Sequence, residues 1–311
     1  KKSNQHSGKM TEAIYLEVTE MAETAHKAKR RVSVSGMLKH LGVSRSGYHA
    51  WLKRVPSNTE KRREAVKTKI QDIYDESKQN YGAPKITKEL RKSGEIISKR
   101  TVGKYMKQMG IKAQWVKPWP ITTKDSDFSS ELKNILDEQF NPERPNAVWC
   151  SDITYIWTID GYVYLTSIMD LYSRKIIAWT LSKTLEVSCV IETIKKARRN
   201  IDEPLILHSD RGSQYVSKEY KRVTAAMQCS YSKKAYPWDN ACIESFHSLI
   251  KREWLNRFKI RDYNHAYRLI FEYLEAFYNT KRIHSHCDYM SPNDYEELYH
   301  RLQQGELQMA G

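Results

Sequence analysis

Apolar positions recur at helical spacing through the first third of the chain. Ile14, Val18, Met21, Ala25, Ala28 and Val32 follow at steps of 4, 3, 4, 3 and 4, which predicts a helix over 11–33 with a weak heptad seam. Two of the six are alanines, so the seam can pack against its own domain as readily as against another chain. In VSGMLKHLGVSRSGYHAWLKR (34–54), Met37, Leu38 and Leu41 predict a short helix and Gly42 a tight turn. Ser44 then caps a second helix whose apolar face is Tyr48, Trp51 and Leu52. Helix, glycine turn and capped helix make a helix-turn-helix, a pattern that any small helical hairpin shares. If it is one, Arg45, Ser46 and His49 lie on the groove-facing side. The theme repeats after Pro56. A basic helix over 60–78 turns Ala65, Ile70 and Ile73 inward, and Pro84 opens a helix carrying Ile86 and Leu90 that Gly94 ends. Ser98 caps the next, with Val102, Tyr105, Met106 and Met109 inside and Lys99, Arg100, Lys104 and Lys107 outside.

Residues 114–146 break the pattern. Pro118, Pro120, Pro142 and Pro145 bracket a linker with one short helix expected at 129–138. Beyond it the chain alternates strands and helices. Strands are expected at 147–158, 162–172 and 175–182, with Asp160-Gly161 as a hairpin turn. A helix at 186–200, a short buried strand at 204–210, a helix near 216–227 and a strand at 229–235 follow, then helices at 240–257 and 262–281. Three strands, helix, strand, helix, strand, helix describes an α/β sheet with an antiparallel half, an order that resembles the ribonuclease H-like fold. The expected domains are a helical segment 1–33, a helix-turn-helix 34–56, a second helix-turn-helix domain 57–113, the linker, a catalytic core 147–258 and a helical region 259–311.

Charge sharpens this division. The chain carries +15. Residues 1–120 hold 27 Lys and Arg against 11 Asp and Glu, whereas the remaining 191 residues hold 25 against 26. All the excess positive charge therefore lies N-terminal, as in a polyanion-binding module ahead of a nearly neutral catalytic body, or a solubilising basic face. No stretch is apolar enough for a membrane span or a secretory signal. The five cysteines are odd in number, scattered and without a CxxC pair. That speaks against a disulfide framework or zinc site and for a reducing cytoplasm.

Three acids carry the candidate chemistry. Asp152 interrupts an apolar strand, Asp210 ends the strand LILH, and Glu244 sits inside a helix in ACIESFHSLIKREW. A lone buried carboxylate is costly unless paired or bound to metal. If the strands of Asp152 and Asp210 are parallel neighbours, the two carboxylates can face one another. Three acids at one spot then suit hard cations such as Mg²⁺, two of which can activate a water or a DNA 3′-hydroxyl and stabilise the leaving 3′-oxygen. The same acids could instead be unrelated caps and turn formers. Lys251, seven residues after Glu244, shares its helix face with His247 and Ser248 between them. It is either a phosphate grip or a solvated surface charge, and nothing in the sequence around it marks its pKa for depression.

WCSDITYI (149–156), LHSDRGSQY (207–215) and DNACIESFHSLIKREW (239–254) resemble the three catalytic blocks of DDE transposases and retroviral integrases. More narrowly, the chain resembles the bacterial insertion-sequence transposases of the copy-out–paste-in type, made from two overlapping reading frames. YGAPKI (81–86) resembles the second DNA-binding motif of that family and NILDEQF (134–140) its linker block. YNTKRIHSHCDYMSPNDY (278–295) resembles the C-terminal block, through Tyr278, Asn279, Arg282, His284, Ser291, Pro292 and Tyr295. The resemblance runs from about 34 to 295. It implies an enzyme that binds the terminal inverted repeats of an element, nicks and joins strands into a circle, and inserts that circle into target DNA. Asp152, Asp210 and Glu244 are then the metal-binding catalytic triad, Mg²⁺ the cofactor with Mn²⁺ able to substitute, and Lys251, with His247 beside it, a contact to the DNA end. Pairing two ends implies at least a homodimer. Family members begin with an upstream helix-turn-helix and zipper, of which the heptads at 14–32 resemble a remnant, so the chain is either a trimmed fusion or the second frame alone. A related metal nuclease or viral-type integrase, with the same site but different DNA geometry, and a repressor with an inactive catalytic body are the competing readings. The tandem helix-turn-helix units count against the first and the intact acid trio against the second.

Overall fold

The computed structural model describes residues 2–114, 132–199, 206–233 and 236–305. Residues 115–131 of the expected linker lie outside these, as do the ends of the elements expected at 186–200, 204–210 and 229–235. The chain forms two compact units, Lys1–Val66 and Lys67–Gly311.

In the first unit α1 (Lys2–Lys27) packs with α2 (Val34–His40) and α3 (Arg45–Leu52). Ser33 and Ser44 cap α2 and α3 by accepting from the Gly36 and Gly47 N–H groups, and Gly42 takes the left-handed turn between them at φ 67°. The core is Tyr15, Val18, Leu38 and Tyr48, with Ile14, Met37 and Trp51 against it. The expected heptad seam does not hold beyond Val18. Met21 is 54% and Val32 44% exposed, because one short helix pair can cover only one or two turns of α1.

The second unit begins within α4 (Asn58–Glu76) and continues with α5 (Ala83–Lys92) and α6 (Lys99–Met109). Ile70, Ile86, Leu90 and Val102 are buried, while Ala65, expected inside α4, is exposed. A five-stranded sheet follows. β1 (Val148–Thr158), β2 (Gly161–Asp170) and β3 (Ile176–Ser182) are antiparallel neighbours. β4 (Ile206–Ser209) and β5 (Gln228–Tyr231) add parallel strands beside β1, giving the order β3-β2-β1-β4-β5. Strand alternation splits the sheet into two faces. Trp149, Ile168, Ala178 and Leu207 lie under α7 (Val187–Ala197) and α8 (Lys218–Val223). The opposite face packs against α9 (Ala241–Glu253) and α10 (Tyr263–Tyr273) through Ile243, Phe246, Ile250, Ile270 and Tyr273. This is the mixed α/β architecture expected from the strand and helix order, a ribonuclease H-like core behind a helical N-terminal region.

The short helix expected at 129–138 is absent from 132–138. That stretch instead lines the edge of β5, where Lys133 O accepts from Tyr231 N at 3.0 Å and Ser230 Oγ accepts from the Ile135 and Leu136 N–H groups. An open sheet edge offers backbone partners that outweigh a single helical turn.

The C-terminal block works as scaffolding. Asn279 clamps β3 by two 3.0 Å bonds to the backbone of Ile176, and Tyr278 OH donates to Arg174 O. Ser291 caps α11 (Pro292–Gln303), and Tyr295 stacks on Tyr172. Buried Arg282 donates two 2.7 Å bonds to Glu253 at the end of α9. The YGAPKI segment meets the same place, where Tyr81 OH donates to Lys281 O and accepts from Ile283 N. The α4–α6 module is thus fastened to the sheet domain by side chains of both motifs.

Candidate active site

Asp152 and Asp210 come together because their strands are parallel neighbours in register. Ser151 pairs with Ser209 as the last step of the β1–β4 ladder, and each acid is the next residue along. Asp210 therefore leaves the carboxyl end of β4, the position from which open α/β sheets present ligand groups. One Asp210 oxygen accepts from the Gly212 N–H at 2.9 Å. A β-carbon at 212 would stand 3.0 Å from that oxygen and 3.2 Å from Gln214 Oε1, so glycine is what lets the backbone approach so closely.

Glu244 enters from the first turn of α9, which Ile243, Phe246 and Ile250 seat on the sheet. Its carboxyl pKa is raised by burial and by the charges of Asp152 and Asp210. Asp210 is pushed up to about 6, by burial first and Asp152 second, with the Gly212 N–H pulling the other way. Asp152 thus opposes the ionisation of both Asp210 and Glu244, and Asp210 that of Glu244.

Among the described residues, no three His, Cys, Asp or Glu side chains converge closely enough to hold a metal ion as they stand. The donor set nonetheless fits a hard cation. It is all carboxylate oxygen and partly buried, with burial and the neighbouring acids raising the pKa values of Asp210 and Glu244.

His247 and Lys251 complete the site from the same helix. His247 is buried at 4% exposure, with Nδ1 3.2 Å from Asp152 Oδ2 and Nε2 3.3 Å from Ser167 Oγ. His247, expected beside Lys251 as a DNA contact, thus turns inward against Asp152 and Ser167. Lys251 Nζ donates to Thr154 Oγ1 at 2.7 Å and stands 5.1 Å from the centre of the Tyr155 ring. Burial lowers its pKa, with Asp152 opposing. No local signal in the sequence marks this depression, because only packing reveals that the side chain folds back onto β1.

Thr154 and Ser167 are site residues that motif spacing alone passes over. Both were within reach of strand arithmetic, since Thr154 is two residues from Asp152 and Ser167 is its partner across β2. Elsewhere, Arg45, Ser46 and His49 share the exposed side of α3, and Lys99, Arg100, Lys104 and Lys107 are exposed on α6.

Residues 142–235 and 225–292 match family profiles described as Integrase core domain, and residues 61–119 match an HTH-like domain. The chain is 37% identical over 248 residues to the transposase for insertion sequence element IS904 of Lactococcus lactis, covering 78% of this chain and 98% of that protein. It is 32% identical over 278 residues to the transposase InsF for insertion sequence IS3A of Escherichia coli K12, covering 87% and 96%. The HTLV-2 integrase catalytic core domain, solved in complex with magnesium, overlays on 50% of this chain and 98% of its own at 16% identity and a TM-score of 0.39.

Proposed function

The chain belongs to the insertion-sequence transposases with an integrase core, and from that premise we propose that it nicks element ends and transfers the freed 3′-ends to new strands with Asp152, Asp210 and Glu244 as its catalytic acids. The observation that carries this reading is the approach of Asp152 within β1, Asp210 just past the end of β4 and Glu244 in the first turn of α9, with Asp152 and Asp210 opposing the ionisation of Glu244. A structural role for such a group is poor, because each acid raises the cost of ionising the next. Mg²⁺ is the cation we assign to these oxygens, two ions being the number that in-line phosphoryl transfer uses, with Mn²⁺ as a substitute. Bound there, it supplies activation of the attacking oxygen and neutralisation of the leaving 3′-oxygen.

The protein's own side chains do the rest. His247 holds the Asp152 carboxylate in one orientation through a bond that Ser167 anchors from behind. The Gly212 N–H fixes Asp210. Lys251 is a positive charge held on β1 by Thr154, and in our reading it grips the phosphate beside the one being cut. No protein nucleophile is required, so water gives cleavage and a DNA 3′-hydroxyl gives joining at one site.

In the same reading residues 34–56 and 57–113 recognise the terminal repeats, 147–258 cuts and joins, and the enzyme acts as at least a dimer that pairs two ends into a circle in the bacterial cytoplasm. Incubation with duplex DNA carrying the element ends and Mg²⁺ tests it. Nicked and joined products are expected. DNA that is shifted in a gel and never cut, at any divalent metal, contradicts it.

A further inference from the structure

Beyond its pairing with β4, the β1–β2 hairpin continues as a two-stranded ribbon with a row of aromatic rings on one face. Tyr155 stands opposite Tyr164, and Trp157 opposite Tyr162. Tyr155, Trp157 and Tyr162 are 56%, 63% and 51% exposed. The Tyr162 ring meets both of the others edge to face, at 5.6 and 4.8 Å between centroids. Four large exposed apolar residues, counting Ile159 at the tip, form a patch that ordinary surfaces avoid.

The surroundings say what this patch suits. The row lies on the face of β1 opposite Asp152, and Lys251 links the two faces around the strand edge that β4 leaves unpaired beyond Ser151: its Nζ bonds Thr154 on the side of the acids and lies over the Tyr155 ring. At its other end, Ile159 and Asp160 bond through their N–H groups to Ile260 O and Arg261 O, which brings the exposed residues Lys259 and Arg261 to the tip. Asp160 places an acid among them. At ~3.3 Å per residue Trp157 lies about 17 Å along β1 from the level of Asp152, a distance that a few nucleotides can cover. Flat rings bracketed by cations match a single strand, whose bases stack on aromatic faces while its phosphates meet ammonium and guanidinium groups.

We propose that Tyr155, Trp157 and Tyr162 form a stacking platform for unpaired bases of a DNA strand frayed open at the catalytic acids. This rests on the strand-cutting reading above and adds to it a binding site for single-stranded DNA. A duplex end is hard to seat at a buried carboxylate cluster unless its last pairs open, and a stacking surface offsets the base stacking that opening loses.

The test is a binding measurement on the full chain in metal-free buffer, so that cleavage plays no part. One probe is a blunt duplex, and the other is the same duplex ending in a five-nucleotide unpaired strand that carries 2-aminopurine. The platform predicts quenched 2-aminopurine fluorescence and about tenfold tighter binding of the frayed probe. Trp157→Ala with Tyr162→Ala removes both effects and leaves blunt-duplex binding unchanged, which also reports that the variant is folded. Trp157→Leu with Tyr162→Leu keeps apolar area without ring faces and behaves like the alanine pair. Undiminished preference for the frayed probe in either double variant overturns the proposal. So does a double variant that loses self-association while its frayed-probe preference persists, since a second copy of the chain then covers the patch. Failure of the strand-cutting reading shows separately, as an Asp152→Asn variant that still nicks DNA.

Discussion

The Asp210 carboxyl is pushed up to about 6 because a buried acid beside Asp152 resists ionisation. Its folded-state pKa lies above the unfolded value, so the folded protein binds more protons between about pH 4 and 6 and loses stability as pH rises through that window. Above pH 6 the full penalty is present. In metal-free buffer at pH 7.5, Asp210→Asn should therefore stabilise the fold, on the order of 1–3 kcal/mol, read as a higher melting temperature. Below pH 4 it should change nothing. Added Mg²⁺ should stabilise wild type and not the variant. A variant that melts below wild type at pH 7.5 contradicts the repulsion. Lys251 makes a second case. Lys251→Ala should impair cleavage of element ends far more than non-specific DNA binding, and Lys251→Arg should recover part of it. Thr154→Val should give a smaller cleavage defect of the same kind, because it frees the ammonium without removing it. Equal cleavage by wild type and Lys251→Ala makes Lys251 an ordinary surface charge.

Among the helices and strands, α9 matters most, because it spans from Glu244 to Glu253 and so ties the acids to the C-terminal block. Glu253 is part-buried, yet the Arg282 guanidinium holds its pKa below the usual value. Its contribution is present above the unfolded carboxylate range and is lost as pH falls through it. Glu253→Gln leaves Arg282 without its counter-charge and should cost about 3–5 kcal/mol, seen in urea unfolding of the full chain. A change under about 1 kcal/mol would show that the pair is replaceable. The sheet was legible in the sequence because alternation and an Asp-Gly turn are local signals. Both helix-turn-helix pairs were legible for the same reason, down to the Ser44 and Ser98 caps. The region 132–138 was not, since its partner is the edge of β5, almost a hundred residues away. The acid trio could be read from motif and strand neighbourhood together. The inward turn of His247 and the burial of Lys251 could not, because helical spacing gives a face and not what covers it.

Across the chain as a whole, positive charge is concentrated in the residues before 120. DNA binding should accordingly weaken steeply with salt, and α6 offers a direct handle in Lys99, Arg100, Lys104 and Lys107. Replacing all four by Ala should flatten the log–log salt slope by roughly 3–4, at ~0.9 for each phosphate left unneutralised. An unchanged slope assigns phosphate binding to another surface. Tyr81 and Lys78 fasten the α4–α6 module to the sheet domain through Lys281, Ile283 and Glu272.

If Asp152 on β1, Asp210 after β4 and Glu244 on α9 form one catalytic centre, each is indispensable to the chemistry and none to holding the DNA. The decisive comparison sets wild type beside Asp152→Asn, Asp210→Asn and Glu244→Gln on duplexes carrying the element ends, scoring end binding and Mg²⁺-dependent nicking and joining in the same reactions. Each amide variant should bind the ends as wild type does while nicking and joining fall to background. A variant at any one of the three positions that retains near-normal strand transfer contradicts the shared centre.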